Sequence, residues 1–170
     1  MRWRQALLII TLLVVAVVIE LTVLAPLPWW GATPPLVLVV VAALAFAFGP
    51  VTGAVSGFVG GLLLDLAPPA VATVGLSALV FTIVGYALGR VFDADERPLW
   101  LTTVVTAMAA GASVIAGAAL GGLLGDERVR WEDVPGFFAA IVVYAAFLSL
   151  LCVPGIRALS RRVVPDSFPR

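Results

Sequence analysis

Residues 35–66 read PLVLVVVAALAFAFGPVTGAVSGFVGGLLLDL, an almost wholly apolar run of 32 residues with Gly49-Pro50 near its middle. A helix that spans a bilayer needs about 20 apolar residues at about 1.5 Å rise each, so this run is too long for one ordinary span. Gly-Pro is a breaker pair. The run therefore divides into helices over 35–48 and 51–66, each about 21 to 24 Å long and short for a hydrocarbon core of about 30 Å. Spans that short need protein neighbours or a thinned bilayer.

The composition around this stretch agrees. Of 170 residues, 62% are hydrophobic and 12% charged, with a mean hydropathy of +1.16. Soluble domains run about 45–50% apolar and about 25% charged, which leaves a membrane protein as the reading. Further spans are expected over 5–24, 74–92, 99–124 and 136–153, making one all-α transmembrane domain over 1–170. The first could pass for a signal peptide at Val23-Leu24-Ala25, but Pro26 argues against cleavage and its length suits a retained anchor. Pro26 to Gly31 reads as an interfacial turn. Trp3, Trp29, Trp30, Trp100 and Trp131 all fall at expected membrane edges, where indoles suit the headgroup level. The tail after Pro154 carries Arg157, Arg161, Arg162 and Arg170.

Arginine placement tests the division at Gly49-Pro50, because cytoplasmic loops are enriched in basic residues. Six spans with the N-terminus inside put Arg2, Arg4, Arg90, Arg97 and the tail arginines on the cytoplasmic side, against only Arg128 and Arg130 outside. Five spans would leave most arginines outside. Six spans with both termini cytoplasmic follow.

The chemistry available is sparse. The chain has no His and no Lys, and one cysteine, Cys152. The commonest general base, the amine alternative, a thiolate metal site and a disulfide framework are thereby removed, and no enzyme, metal or cofactor is expected. A net charge of zero offers nothing to nucleic acid. Small residues recur at every fourth position as Gly53, Gly57 and Gly61, with Ser56 and Gly60 beside them, as Gly85 and Gly89, and as Gly117, Gly121 and Gly125. Such stripes let helix backbones approach closely, either within the chain or against a partner's transmembrane helix. Glu20 and Asp65 are the only acids inside apolar runs. A carboxylate costs about 2.5 to 3.5 kcal/mol at mid-bilayer even on the lenient scale. Both fall near the outer ends of their helices, where they reach the interface, contact a ligand or partner, or relay a proton.

Gly57-Phe58-Val59-Gly60-Gly61-Leu62-Leu63-Leu64-Asp65-Leu66-Ala67-Pro68-Pro69, then Val74-Gly75 and Gly85-Tyr86-Ala87-Leu88-Gly89, resembles the MreD family of rod shape-determining membrane proteins. The family pattern is a Gly-Phe and Gly-Leu-Leu stretch ending in Asp, a Pro- or Gly-rich turn, and a Gly opening the next helix. The chain departs from it at Ala70 to Thr73, where a more compact turn with Gly is expected. The resemblance implies a six-helix bundle similar to the substrate-binding subunits of energy-coupling-factor vitamin transporters. It implies a non-catalytic subunit of the cell-elongation complex in the bacterial inner membrane. Its partner would be MreC, with RodA, a class B penicillin-binding protein and MreB nearby, and membrane lipid around it. The partner's helix would lie on Gly53, Gly57, Phe58, Gly61, Asp65, Gly85 and Gly89, with Glu20 and Asp65 as polar contacts. The alternative is a vitamin-like small-molecule binding subunit of a transporter, which needs several polar groups converging in the outer half of the bundle.

Overall fold

A computed structural model describes residues 2–26, 32–67, 74–91, 98–125 and 130–163. Among these residues all regular structure is helical: α1 (Arg2–Ile19), continued by one wider π turn (Glu20–Leu24), α2 (Leu36–Phe48), α3 (Pro50–Leu66), α4 (Leu76–Val91), α5 (Leu99–Leu123) and α6 (Val134–Val163). The expected turns around Trp29-Trp30 and Pro68-Pro69, the departure at 70–73 and the loops at 93–97 and 126–129 lie outside the described residues.

The division of the 35–66 run is a backbone event. Gly49 adopts φ +87° and ψ −177°, a region essentially confined to glycine, and Pro50 opens α3 at the first helical position, where its missing N–H costs nothing. A Cβ on Gly49 would meet nothing within 4 Å, so conformation alone demands the glycine. Gly49→Ala is therefore expected to destabilise by about 1–3 kcal/mol, read as a lower melting midpoint in detergent.

α2 is the axis of the molecule. Every side chain from Leu36 to Ala47 is buried, as a helix apolar all round must be. Its residues enter each of the three apolar clusters: with Leu13 and Val17 of α1 and Val153 of α6, with Ala110 of α5 and Ala145 of α6, and with Leu88 of α4. At 13 residues, about 20 Å, it would be too short to face lipid alone, and it has neighbours on all sides.

The outer helices turn large apolar side chains outward, among them Val14, Val18, Val55, Ile83, Met108, Phe147 and Leu151. In water such a surface would aggregate, and in hydrocarbon it is the required solvent contact. Among the described residues three helices are long and apolar enough to cross a membrane, Trp3–Leu24, Leu99–Leu123 and Val134–Ser160, while α2, α3 and α4 are shorter apolar helices.

The largest difference from the expected boundaries is at the C-terminal end of the sixth helix. The sixth helix was expected to stop before Pro154 but runs through it to Val163, making Arg157 a half-buried helical residue rather than part of a tail. Proline removes one backbone bond there, yet Val153, Ile156 and Ser160 on either side are buried, the first two against α1 and α2. Packing on both flanks overrides the local breaker.

Candidate functional site

Apart from Glu20, the site residues singled out by the sequence lie on the α3–α4 hairpin, the most extensive helix pairing in the fold. The two helices run antiparallel in a register set by glycine. Gly53 faces the carbonyl of Gly85, Gly57 the carbonyl of Phe81, Gly61 the backbone of Ser77 and Ala78, and Gly89 the backbone of Gly49 and Pro50. A Cβ at Gly61 would sit 2.6 Å from Ala78 Cα, and one at Gly89 would sit 2.6 Å from Pro50 Cα, so no side chain fits at either place. The second small stripe turns the other way: Gly60 receives Val37 Cγ1 of α2, 2.8 Å from where its Cβ would be, and Ser56 Oγ donates to Gly53 O at 3.1 Å. The face carrying Gly53, Gly57, Gly61, Gly85 and Gly89 is thus filled by the chain's own helices.

Asp65 continues the same stripe one turn beyond Gly61. Its Oδ2 accepts the N–H groups of Gly75 at 2.9 Å and Ala78 at 3.3 Å. These are orphan donors at the start of α4, so Asp65 acts as an N-cap supplied by the neighbouring helix. It is 4% exposed, and Gly75 at φ +95° bends the chain into this position. The Gly-x3-Gly-x3-Gly-x3-Asp spacing therefore encodes a hairpin: three close approaches and a clasp.

Glu20 repeats the device. It lies on the buried stripe of α1 with Leu13, Ala16 and Val17, is 9% exposed, and its Oε2 accepts the N–H of Val37 at 2.6 Å at the start of α2. Both acids sit where the positive end of a helix dipole favours an anion. Since the helices alternate in direction, both caps stand at one end of the bundle, with Arg4, Arg90 and Arg157 toward the other. The sequence signal for these roles was present in the helical spacing of each acid from the small or buried residues before it. The loop that brings the capped N-terminus to it carries no such signal.

Phe58 stands apart. It is 51% exposed on the side of α3 opposite Ser56 and Gly60, in an outward ridge with Val51, Val55 and Leu66, and beside it α4 presents Leu79, Ile83 and Tyr86.

The stripe on α5 is less engaged. Gly111 is closed by Phe138 and Val142 of α6, and Gly121 is buried, but a Cβ at Gly117 or Gly125 would meet nothing within 4 Å. The buried hydroxyls serve their own helices: Thr102 Oγ1 donates to Leu99 O at 2.9 Å, Thr106 Oγ1 to Thr102 O at 2.7 Å, and Ser149 Oγ to Ala146 O at 2.9 Å. This local back-bonding satisfies polar groups in lipid without assembling a polar cluster. Cys152 is a free, half-buried thiol on α6.

A glycine-locked hairpin on a buried central helix, surrounded by lipid-facing apolar residues, defines a small polytopic helical membrane protein. Residues 1–154 match the family model described as rod shape-determining protein MreD. The chain belongs to that family of rod shape-determining membrane proteins. Neither the curated proteins nor the solved structures compared with it give a match.

Proposed function

We propose that this chain is the non-catalytic membrane subunit of the rod complex that holds the transmembrane or juxtamembrane helix of MreC, and so helps position peptidoglycan synthesis. RodA with its class B penicillin-binding protein and MreB would assemble around the pair. The observation that carries this reading is the α3–α4 hairpin, whose glycines fix a stiff two-helix unit and leave Phe58 and its neighbours as an apolar ridge facing outward. Gly53, Gly57, Gly61, Gly85, Gly89 and Asp65 then contribute to partner binding by shaping the unit, and Phe58 contributes by touching the partner. Interhelical contacts in lipid rest on such shape complementarity, since hydrocarbon supplies little drive of its own. Phe58→Ala should lower MreC recovery on co-purification by about tenfold while the chain accumulates normally, the scale of one anchor residue worth about 1.4 kcal/mol. Unchanged recovery would remove Phe58 from the interface.

In this reading all six helices cross the inner membrane as one domain over 1–170, with the end bearing Arg4 and Arg90 in the cytoplasm by the positive-inside rule. With Cys152 replaced by Ala, a cysteine at exposed position 131 should react with a membrane-impermeant thiol reagent outside intact cells. One at position 4 should react only after permeabilisation.

The shared layout with energy-coupling-factor subunits that the resemblance implies fits the alternating six helices. A vitamin-binding role is less well supported, since Glu20 and Asp65, the acids such a pocket would draw on, bond helix N-termini instead. Mass spectrometry of protein purified in mild detergent separates the two readings: retained MreC supports the first, a transporter ATPase with a bound small molecule the second.

A further inference from the structure

At the end of the bundle opposite Glu20 and Asp65, an open cleft of about 510 Å³ lies between the start of α1 and the last turns of α6. Along α1 its lining runs from Trp3 and Arg4 at the helix start through Leu7 and Leu8 to Thr11 and Leu12, and α6 contributes Leu159. That volume falls within the about 300–1,000 Å³ of ordinary ligand sites. The walls are apolar apart from Thr11 and the cation, and the cation sits where the span begins. The two helices that form the cleft carry arginine and no acid at this end: Arg2 and Arg4 on α1, and Arg157, Arg161 and Arg162 on α6. Among the described residues the carboxylates Glu20, Asp65, Glu132 and Asp133 all belong to the opposite end.

An apolar slot at acyl depth, with a tryptophan and an arginine at headgroup level, is complementary to an amphiphile with an anionic head and a hydrocarbon chain. Long basic side chains at helix ends place their charge among headgroups while their stems cover apolar surface. We infer that this cleft binds one anionic phospholipid from the surrounding bilayer. Its phosphate lies against Arg4, and an acyl chain lies along Leu7, Leu8 and Leu159. The site is separate from the α3–α4 hairpin and does not depend on the partner proposed there.

Native mass spectrometry of the full-length, delipidated protein titrated with phosphatidylglycerol or phosphatidylcholine tests this directly. One phosphatidylglycerol should be retained about fivefold more strongly than phosphatidylcholine, the factor expected of one arginine near a charged headgroup. Arg4→Gln should erase that preference, Arg4→Lys should keep most of it, and Leu159→Trp, which fills the slot from an exposed position, should abolish retention of both lipids. Arg4 and Leu159 are exposed, so helicity by circular dichroism should be unchanged in all three. Equal retention of the two lipids by the native chain, or a preference that survives Arg4→Gln, would overturn the proposal. So would displacement of the lipid by inorganic phosphate, which would mark a site for the free anion. A lipid-free dimer abolished by Leu159→Trp would assign the cleft to a second copy of the chain and overturn it as well.

Discussion

Gly57→Leu is expected to remove the folded protein from the membrane, whereas Gly117→Leu leaves its level unchanged. Both glycines belong to small-residue stripes with the same four-residue spacing, so sequence alone ranks them equally. Their surroundings do not. Any Cβ at position 57 runs into the backbone of Phe81, with Thr82 N only 2.9 Å away, while a Cβ at position 117 meets nothing within 4 Å. Backbone cannot rotate aside as a side chain can, so the hairpin must open, at a cost above the about 1–3 kcal/mol typical of overpacking. A native stability of about 5–15 kcal/mol leaves little margin for that, and separating α3 from α4 also strands the Asp65 cap. At position 117, replacing a helical glycine recovers up to about 1 kcal/mol of helix propensity. Steady-state levels and melting midpoints of fluorescent fusions in mild detergent report both outcomes. Equal levels for the two variants would contradict the packing described for the hairpin.

The second large effect is expected at Asp65, and it depends on the replacement. Asp65→Ala leaves the N–H groups of Gly75 and Ala78 without their acceptor, and an unmet buried donor costs about 1–3 kcal/mol, more toward the membrane interior. Asp65→Asn keeps a carbonyl oxygen in the same place and gives up only the charge on the helix dipole, about 0.3–1 kcal/mol. The melting midpoint should therefore fall steeply for Ala and slightly for Asn, with Glu20→Ala and Glu20→Gln following the same order at α2. A capping role predicts this asymmetry between shape-matched and truncating replacements. A role as a proton relay would instead make the neutral Asn and Gln variants as harmful as the truncations, and in an assay of function rather than stability.

The division of the 35–66 run was legible because Gly49 and Pro50 each have a conformational reason to stand where one helix ends and the next begins. The close-packed glycines were legible as a type of surface, since only small residues permit such approach. Their partner was not, because nothing in a Gly-x3-Gly repeat says whether the facing helix comes from the same chain. Asp65 shows how far spacing carries: it extends the stripe by one more turn, but its role as a cap depends on a turn that returns α4 to it. Pro154 shows the limit in the other direction. A local breaker reads as a stop, but the burial of Val153 and Ile156 against α1 and α2 keeps the helix going.

Site-specific photocrosslinking in living cells probes the proposed contact between the outward ridge of the α3–α4 hairpin and the helix of MreC. A photoreactive residue at position 58 should yield a covalent adduct with MreC, and the same residue at position 115, exposed on α5, should yield none. Capture of MreC from position 115 with none from position 58, in cells where both variants accumulate, would remove the ridge from the interface.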